Sequence, residues 1–312
     1  MSDNLIRLST ISDFMVSISC ILDITPEAGD IVFIASGPDN RVINADFLPV
    51  GHDRGLPIST SITTLARTPT TSVVLIGYGS TSHPTESVLD IFSRVARLTP
   101  PSIQTTRLWV CDDPCWNLDC ADPDCCPPDG IVINANASTV PASFALQGRA
   151  PATRTRSQIR ADLAPIDTHE SDAVAEAIAA LPKSPSIDTT LSRLPHDTAN
   201  LTASDMAAML HCLADRHQVA DAMVSTQHRP DALWSLWLRL LRSCPPSHRT
   251  PSAVLTSWNA LLGHDRATAT AALQIASPSN TLAALTRDIL THNIPPDRFA
   301  FLTVSALVKD PS

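Results

Sequence analysis

The sequence predicts an α/β domain, with a mixed sheet and flanking helices, followed by an all-α domain of helical hairpins. Three observations predict it. As far as about residue 135, short and wholly apolar runs alternate with segments of helical period. Beyond that point nearly every apolar pattern is helical. The connections between those later helices are short, which favours antiparallel neighbours.

Taken in order, Ser9 or Thr10 caps a first helix whose apolar face is Ile11, Phe14, Met15, Ile18 and Leu22. Pro26 and Gly29 end it. The run Ile31-Val32-Phe33-Ile34-Ala35 is apolar throughout and reads as a buried strand. Residues 42–48 alternate, with Ile43, Ala45 and Phe47 on one side and Asn44 and Asp46 on the other. The turn Gly37-Pro38-Asp39-Asn40 folds this half-buried strand back on its predecessor. A threonine-rich helix is expected over 58–67 and a second buried strand at Val73-Val74-Leu75-Ile76. Val88, Phe92, Val95 and Leu98 mark a helix over 85–98, and Arg107-Leu108-Trp109-Val110 a third core strand. The sheet should therefore hold 31–35, 42–48, 72–77 and 105–110, with some parallel pairing.

In the second half, Ser138 caps a segment that stops near Gly148. Thr168 opens a helix carrying Val174, Ile178 and Leu181, with Pro182 as its stop. A long helix is expected over 203–223, then helices over 231–243, 253–262, 265–276 and 280–292. The stretch 183–200, rich in Pro, Ser, Thr and Asp, reads as a mobile linker. The domains are thus 1–135, ending in a Cys/Asp/Pro-rich loop at 111–130, and 136–312. Trp234 and Trp237 are three apart on a strongly apolar helix. They are core anchors, or else an interface for a protein partner or for self-association through the helical domain.

Composition narrows the function. With 44% hydrophobic and 17% charged residues, the chain is not disordered on compositional grounds. Residues 1–150 hold 16 acidic and 8 basic residues, so the first half has a net charge of −8 and lacks a nucleic-acid footprint. No run of about 18 apolar residues is present, so no membrane span is expected. The opening residues have neither a basic n-region nor an apolar core, and the expected location is cytoplasmic. Thiols stay reduced there, which turns a cysteine cluster toward metal binding or free-thiol chemistry.

The loop 111–130 holds five of the chain's eight cysteines, Cys111, Cys115, Cys120, Cys125 and Cys126, together with six aspartates and no Lys or Arg. Four prolines stiffen it, at 114, 123, 127 and 128. The spacing is not that of paired CxxC knuckles. A usable zinc set would be Cys111, Cys115, Cys120 and one of Cys125 and Cys126. Neighbouring aspartates raise thiol pKa values unless a cation reverses the effect. The alternatives are a reversible disulfide or small cysteines packed in a rigid loop.

Other constellations carry less. Gly77-Tyr78-Gly79-Ser80-Thr81-Ser82 lies between a buried strand and a helix, where an open α/β sheet binds ligands, but it matches no phosphate-loop pattern. His52 and Asp53, or His83 with Glu86, have a plausible acid–base composition without a catalytic motif around them. His211 and His217 are too far apart on one helix to share a metal.

Three stretches resemble an uncharacterised, mainly actinobacterial family called "domain of unknown function 4192". They are Leu22-Asp23-Ile24-Thr25-Pro26-Glu27 with the strand that follows, Trp116 with the segment Cys120 to Gly130, and Trp258 through Gly263-His264-Asp265 to Ile294-Pro295-Pro296. The middle stretch is the specific one, and it marks Trp116, Asp122, Pro127 and Gly130 as candidate site residues beside the cysteines. Asp23 stands where the family has glycine, and Cys111 and Cys115 are extra to the pattern. The resemblance implies a fold and no activity. The expected function is a non-catalytic binding or interaction protein with a metal-holding cysteine loop. The alternatives are an enzyme with its site at the strand ends, or a thiol-redox sensor.

Overall fold

The computed structural model describes residues 8, 10–48, 69–146, 151–181, 186–194, 197–292 and 294–299. The helix expected over 58–67 and the pair His52–Asp53 lie outside them. The chain forms two compact units, Met1–Arg156 and Ser157–Ser312.

The first unit is a six-stranded mixed sheet in the order β2-β1-β3-β4-β5-β6. Its strands are β1 (Ile31–Ser36), β2 (Val42–Leu48), β3 (Ser72–Gly79), β4 (Gln104–Cys111), β5 (Pro114–Asn117) and β6 (Ile131–Val132). β1 pairs antiparallel with both β2 and β3, whereas β3 and β4 run parallel. A parallel pair needs a crossover, and α2 (Glu86–Leu98) supplies it. Alternation along the strands sorts side chains between two faces. Ile31, Phe33, Val73, Leu75 and Trp109 face one side and pack with Val88, Ile91, Phe92 and Val95 of α2. Val32, Ile34, Ile76, Leu108 and Val110 face the other and meet Met15 and Ile18 of α1 (Ile11–Leu22). The sheet is thus the middle layer of three, which is why β1 and the centre of β3 are apolar at successive positions.

α1 begins in a capping box, with Thr10 accepting from the Asp13 amide and Asp13 accepting in return from Thr10. It ends at Asp23 in the left-handed region, φ 56°, the conformation for which glycine is the default. The segment after the sheet returns to this unit. Val140 and Phe144 of α3 (Val140–Ala145) pack on Cys20 of α1. The Thr25 amide donates to the Arg154 carbonyl at 2.9 Å, and Arg156 pairs with Asp30 at 3.0 Å. These links tie Val140, Phe144, Arg154 and Arg156 to the first unit, past the point at 135 where the sequence changes character.

The second unit is helical, with no strand among its described residues. Its elements are α4 (Arg156–Leu163, starting at the boundary), α5 (Thr168–Ala180), α6 (Ile187–Arg193), α7 (Ala203–Cys212), α8 (Arg216–His228), α9 (Pro230–Ser243), α10 (Arg249–Leu262), α11 (Arg266–Ile275), α12 (Thr281–Thr291) and α13 (Pro296–Phe299). α10 is buried from Ser252 to Leu261 and packs against α8, α9, α11 and α12. The single helix expected over 203–223 is two, because the Asp215 carboxylate accepts the His217 amide and caps a fresh start. His211 and His217 consequently sit on different helices. In the stretch 183–200, the described residues form α6 and a 3-10 turn at Thr198–Asn200.

Trp237 is fully buried, and its Nε1 donates to the Thr226 hydroxyl at 2.9 Å, so it is a core anchor. Trp234, one turn back on the same helix, is half-buried. Trp258 is likewise enclosed, donating to the Met223 carbonyl at 3.1 Å and lying 5.1 Å from the Phe299 ring.

Candidate functional site

The loop after β4 is more ordered than its composition suggests. Asp112 turns the chain at φ 53°, and β5 returns antiparallel along β4, bringing Trp116 opposite Trp109 and Cys115 opposite Val110. The pleat then decides where each side chain goes. Trp116 joins the α2 face, beside the cluster containing Trp109. Cys115 goes to the α1 face, buried with Val110, Met15 and Ile18, and burial pushes its thiol up to about 11. Cys111 ends β4, with its sulfur 3.9 Å from Asp112. Cys111 and Cys115 therefore stand apart from the other three.

Residues 117–130 fold across the α2 side as a chain of tight turns. Asn117 Oδ1 accepts the Asp119 amide at 3.0 Å, and Asp122 Oδ1 accepts the Asp124 amide at 3.0 Å. The Cys126 amide donates to the Asp122 carbonyl at 2.7 Å, closing one helix-like turn. The loop is not without a counter-charge, as its own composition implied. Arg107, on β4, forms a salt bridge with Asp119 through its guanidinium and also donates its backbone amide to the same carboxylate at 2.7 Å. Pro127-Pro128 leads to Gly130, which lies against the Trp116 ring at φ 80°. A Cβ there would sit 2.8 Å from the indole, so only glycine fits. Trp116 Nε1 donates to the Pro128 carbonyl at 3.0 Å and ties the loop's end to its beginning.

These turns gather Cys120, Cys125 and Cys126. Their sulfurs all lie within 4.8 Å of one another, and Cys125 and Cys126 are 3.8 Å apart. A tetrahedral zinc with Zn–S bonds of about 2.3 Å sets its sulfurs about 3.8 Å apart. The sulfurs that the fold gathers include both adjacent cysteines and leave out Cys111 and Cys115, which the expected set contained. The three thiols also polarise one another. Hydrogen bonding from Cys126 is the main influence that holds Cys120 below the ordinary thiol range. Donating to Cys120 pushes Cys126 up to about 12.

Cys120 and Cys126 open onto a cleft of about 540 Å³. Trp116, Ser82, His83 and Asp129 also line it. Ser82 and His83 belong to the turn between β3 and α2, the place where an open α/β sheet takes ligands. The glycines of that turn serve another purpose. The Trp109 ring lies across Gly77 and Gly79, and a Cβ on Gly79 would come within 2.1 Å of it. Trp109 Nε1 donates to the Thr81 carbonyl at 2.8 Å. The Gly77–Ser82 segment is a turn built around Trp109, while its last residues, Ser82 and His83, face the cysteine cleft. In the sequence His83 stands beside Glu86 with no visible link to the cysteines, since the two segments meet only across the α2 crossover. Trp109 and Arg107 had no local signal marking them as supports of the site.

A family model described as "Domain of unknown function (DUF4192)" matches residues 48–297. The chain belongs to this family. The match spans the cysteine loop, the cleft residues of the β3–α2 turn and most of the helical unit. No curated protein and no solved structure matches the chain. No helix among the described residues is long and apolar enough to cross a membrane.

Proposed function

We propose that the protein is a non-catalytic binding protein whose loop 111–130 holds a thiophilic metal ion, zinc, through Cys120, Cys125 and Cys126, and that the ion organises the adjoining cleft as a recognition surface. The observation that carries this reading is the convergence of three sulfurs at the surface, within 4.8 Å, at a spacing that suits tetrahedral coordination. Burial does not account for them, because Cys125 is exposed and Cys120 and Cys126 are half-exposed. A dipositive ion would also relieve the aspartates that crowd the loop. A reducing cytoplasm would keep the thiols available to it. Elemental analysis of the full chain, purified without chelator, tests the reading. About one zinc per chain is expected, lost in Cys120→Ser. Metal-free protein that takes up no zinc on reconstitution would sink it.

A second reading draws on the same sulfurs. The unequal Cys120 and Cys126 thiols suit a peroxide-sensing pair, in which Cys120 thiolate attacks peroxide, releasing hydroxide and leaving a sulfenic acid. A neighbouring thiol then displaces water from the sulfenic acid to form the disulfide. Mass spectrometry of zinc-free protein after peroxide distinguishes it by the loss of two hydrogens, restored by reductant.

A further inference from the structure

Three thiolates leave a tetrahedral ion one position short. Resting on the zinc reading above, we infer that His83 supplies the fourth ligand, so that the metal latches the β3–α2 turn to the cysteine loop across the cleft.

The cleft holds few donors besides Cys120 and Cys126. Asn117 uses its carbonyl oxygen to accept the Asp119 amide, and Cys115, although it borders the cleft, is buried in the apolar cluster of the α1 face. That leaves Ser82, His83 and Asp129. Charge decides among them. Zinc with three thiolates carries −1. A carboxylate from Asp129 would make the site −2, inside a loop that already holds six aspartates. A neutral imidazole leaves it at −1 and completes a Cys₃His set, a common structural zinc site. The ring is also suitably prepared. His83 Nδ1 lies 2.9 Å from the Ser82 hydroxyl, which occupies that nitrogen and leaves Nε2 for an ion. The backbone beneath it is held in place. The Thr81 hydroxyl donates to the His83 carbonyl at 2.8 Å, and the Thr81 carbonyl accepts from Trp109. His83 itself is exposed, so its Nε2 edge is open to an ion.

The His83 nitrogens are not among the ligand atoms gathered within 4.8 Å. Ligation therefore requires the two walls to approach each other, and the metal becomes a closure for the cleft as well as a staple for the loop. Cys125 lies outside the cleft lining, so Cys120 and Cys126 are the sulfurs of the cluster that share the cleft with His83.

Cobalt(II) reconstitution of the full chain tests this, because thiolate-to-cobalt absorption counts sulfurs and the d–d bands report the fourth ligand. Wild type should show a three-thiolate tetrahedral spectrum. His83→Ala should keep the thiolate absorption, shift the d–d bands and bind zinc at least about tenfold more weakly, the scale on which metal-site support residues act. Asp129→Asn should match wild type in both. If wild type shows the three-thiolate spectrum and His83→Ala leaves bands and affinity unchanged, the latch is wrong and the cysteine site stands. If Asp129→Asn weakens binding and His83→Ala does not, the carboxylate is the ligand. Wild type with no thiolate absorption overturns the metal reading and the latch with it.

Discussion

In the helical unit Cys212 and Cys244 are buried, and the Cys212 sulfur lies 3.5 Å from the Thr190 hydroxyl among packed helices. In the loop of residues 111–130, Cys120, Cys125 and Cys126 sit at the surface with their sulfurs together. Cys20 and Cys115 belong with the first kind, each inside an apolar cluster. A buried cysteine is a small hydrophobe, and its surroundings would accept another of similar size. A surface group of three gains little from burial, so its arrangement has to be explained by what the sulfurs do together. The two regions also differ in how they are held. The helices are fixed by side-chain packing around α10, whereas the loop is fixed by turns, prolines, the indole hydrogen bond of Trp116 and the Arg107–Asp119 salt bridge. Damage to one should leave the other working.

The largest effect should come from Trp237→Ala. It removes a fully buried indole together with the hydrogen bond that its Nε1 donates to Thr226, so a loss of about 3–5 kcal/mol is expected, seen as a lower melting temperature. Zinc content per folded chain should not change. A variant that melted normally but self-associated less would make Trp237 an interface residue and break the contrast from the helical side.

The second effect concerns the loop alone and is read in metal affinity. In the metal-free protein Cys126 is pushed up to about 12 by donating to Cys120, so it keeps its proton across the neutral range. Zinc takes the thiolate, and binding must expel that proton. Affinity should therefore rise with pH, by at least about tenfold per unit between pH 6 and 8, as titrations against a chelator of known affinity would show. Affinity that stayed flat or fell over that range would mean that Cys126 is not a ligand.

The sequence made the strong elements legible and the site only partly so. β1, β2 and the core of β3 and β4 could be read because an apolar run or an alternation is local, and local signals survive without knowledge of the partner strand. β5 and β6 could not. Pro114-Cys115-Trp116-Asn117 has no alternation of its own, and it becomes a strand because β4 offers an edge. Missing β5 is what made the five cysteines look equivalent. Once it is a strand, the pleat turns Cys115 and Trp116 to opposite faces and removes Cys115 from the cluster. The break at Asp215 has a similar cause: apolar spacing continued from Leu213 to Val219 and outweighed a one-residue cap signal. His83 was the hardest to place. It lies some 37 residues before Cys120, and only the parallel pairing of β3 with β4 sets its turn beside the loop.

The smallest effect gives the sharpest comparison, because it makes one substitution in both regions. Cys212→Ser puts a hydroxyl into a site with no exposure. The Thr190 hydroxyl is close enough to take a hydrogen bond from it, which limits the cost to about 1–2 kcal/mol. That cost should be the same with or without zinc, since nothing about the metal enters it. Cys120→Ser lies on a half-exposed turn and removes no buried contact, so in metal-free protein it should leave the melting temperature nearly unchanged. Adding zinc should then separate the two. Wild type and Cys212→Ser should rise in melting temperature together, by mass action on the folded state, while Cys120→Ser should not rise. Paired melts of the three proteins, with chelator and with excess zinc, make the measurement. If Cys120→Ser costs as much as Cys212→Ser in chelator and responds equally to zinc, then the surface sulfurs are packing residues like the buried ones, and the distinction between the two regions disappears.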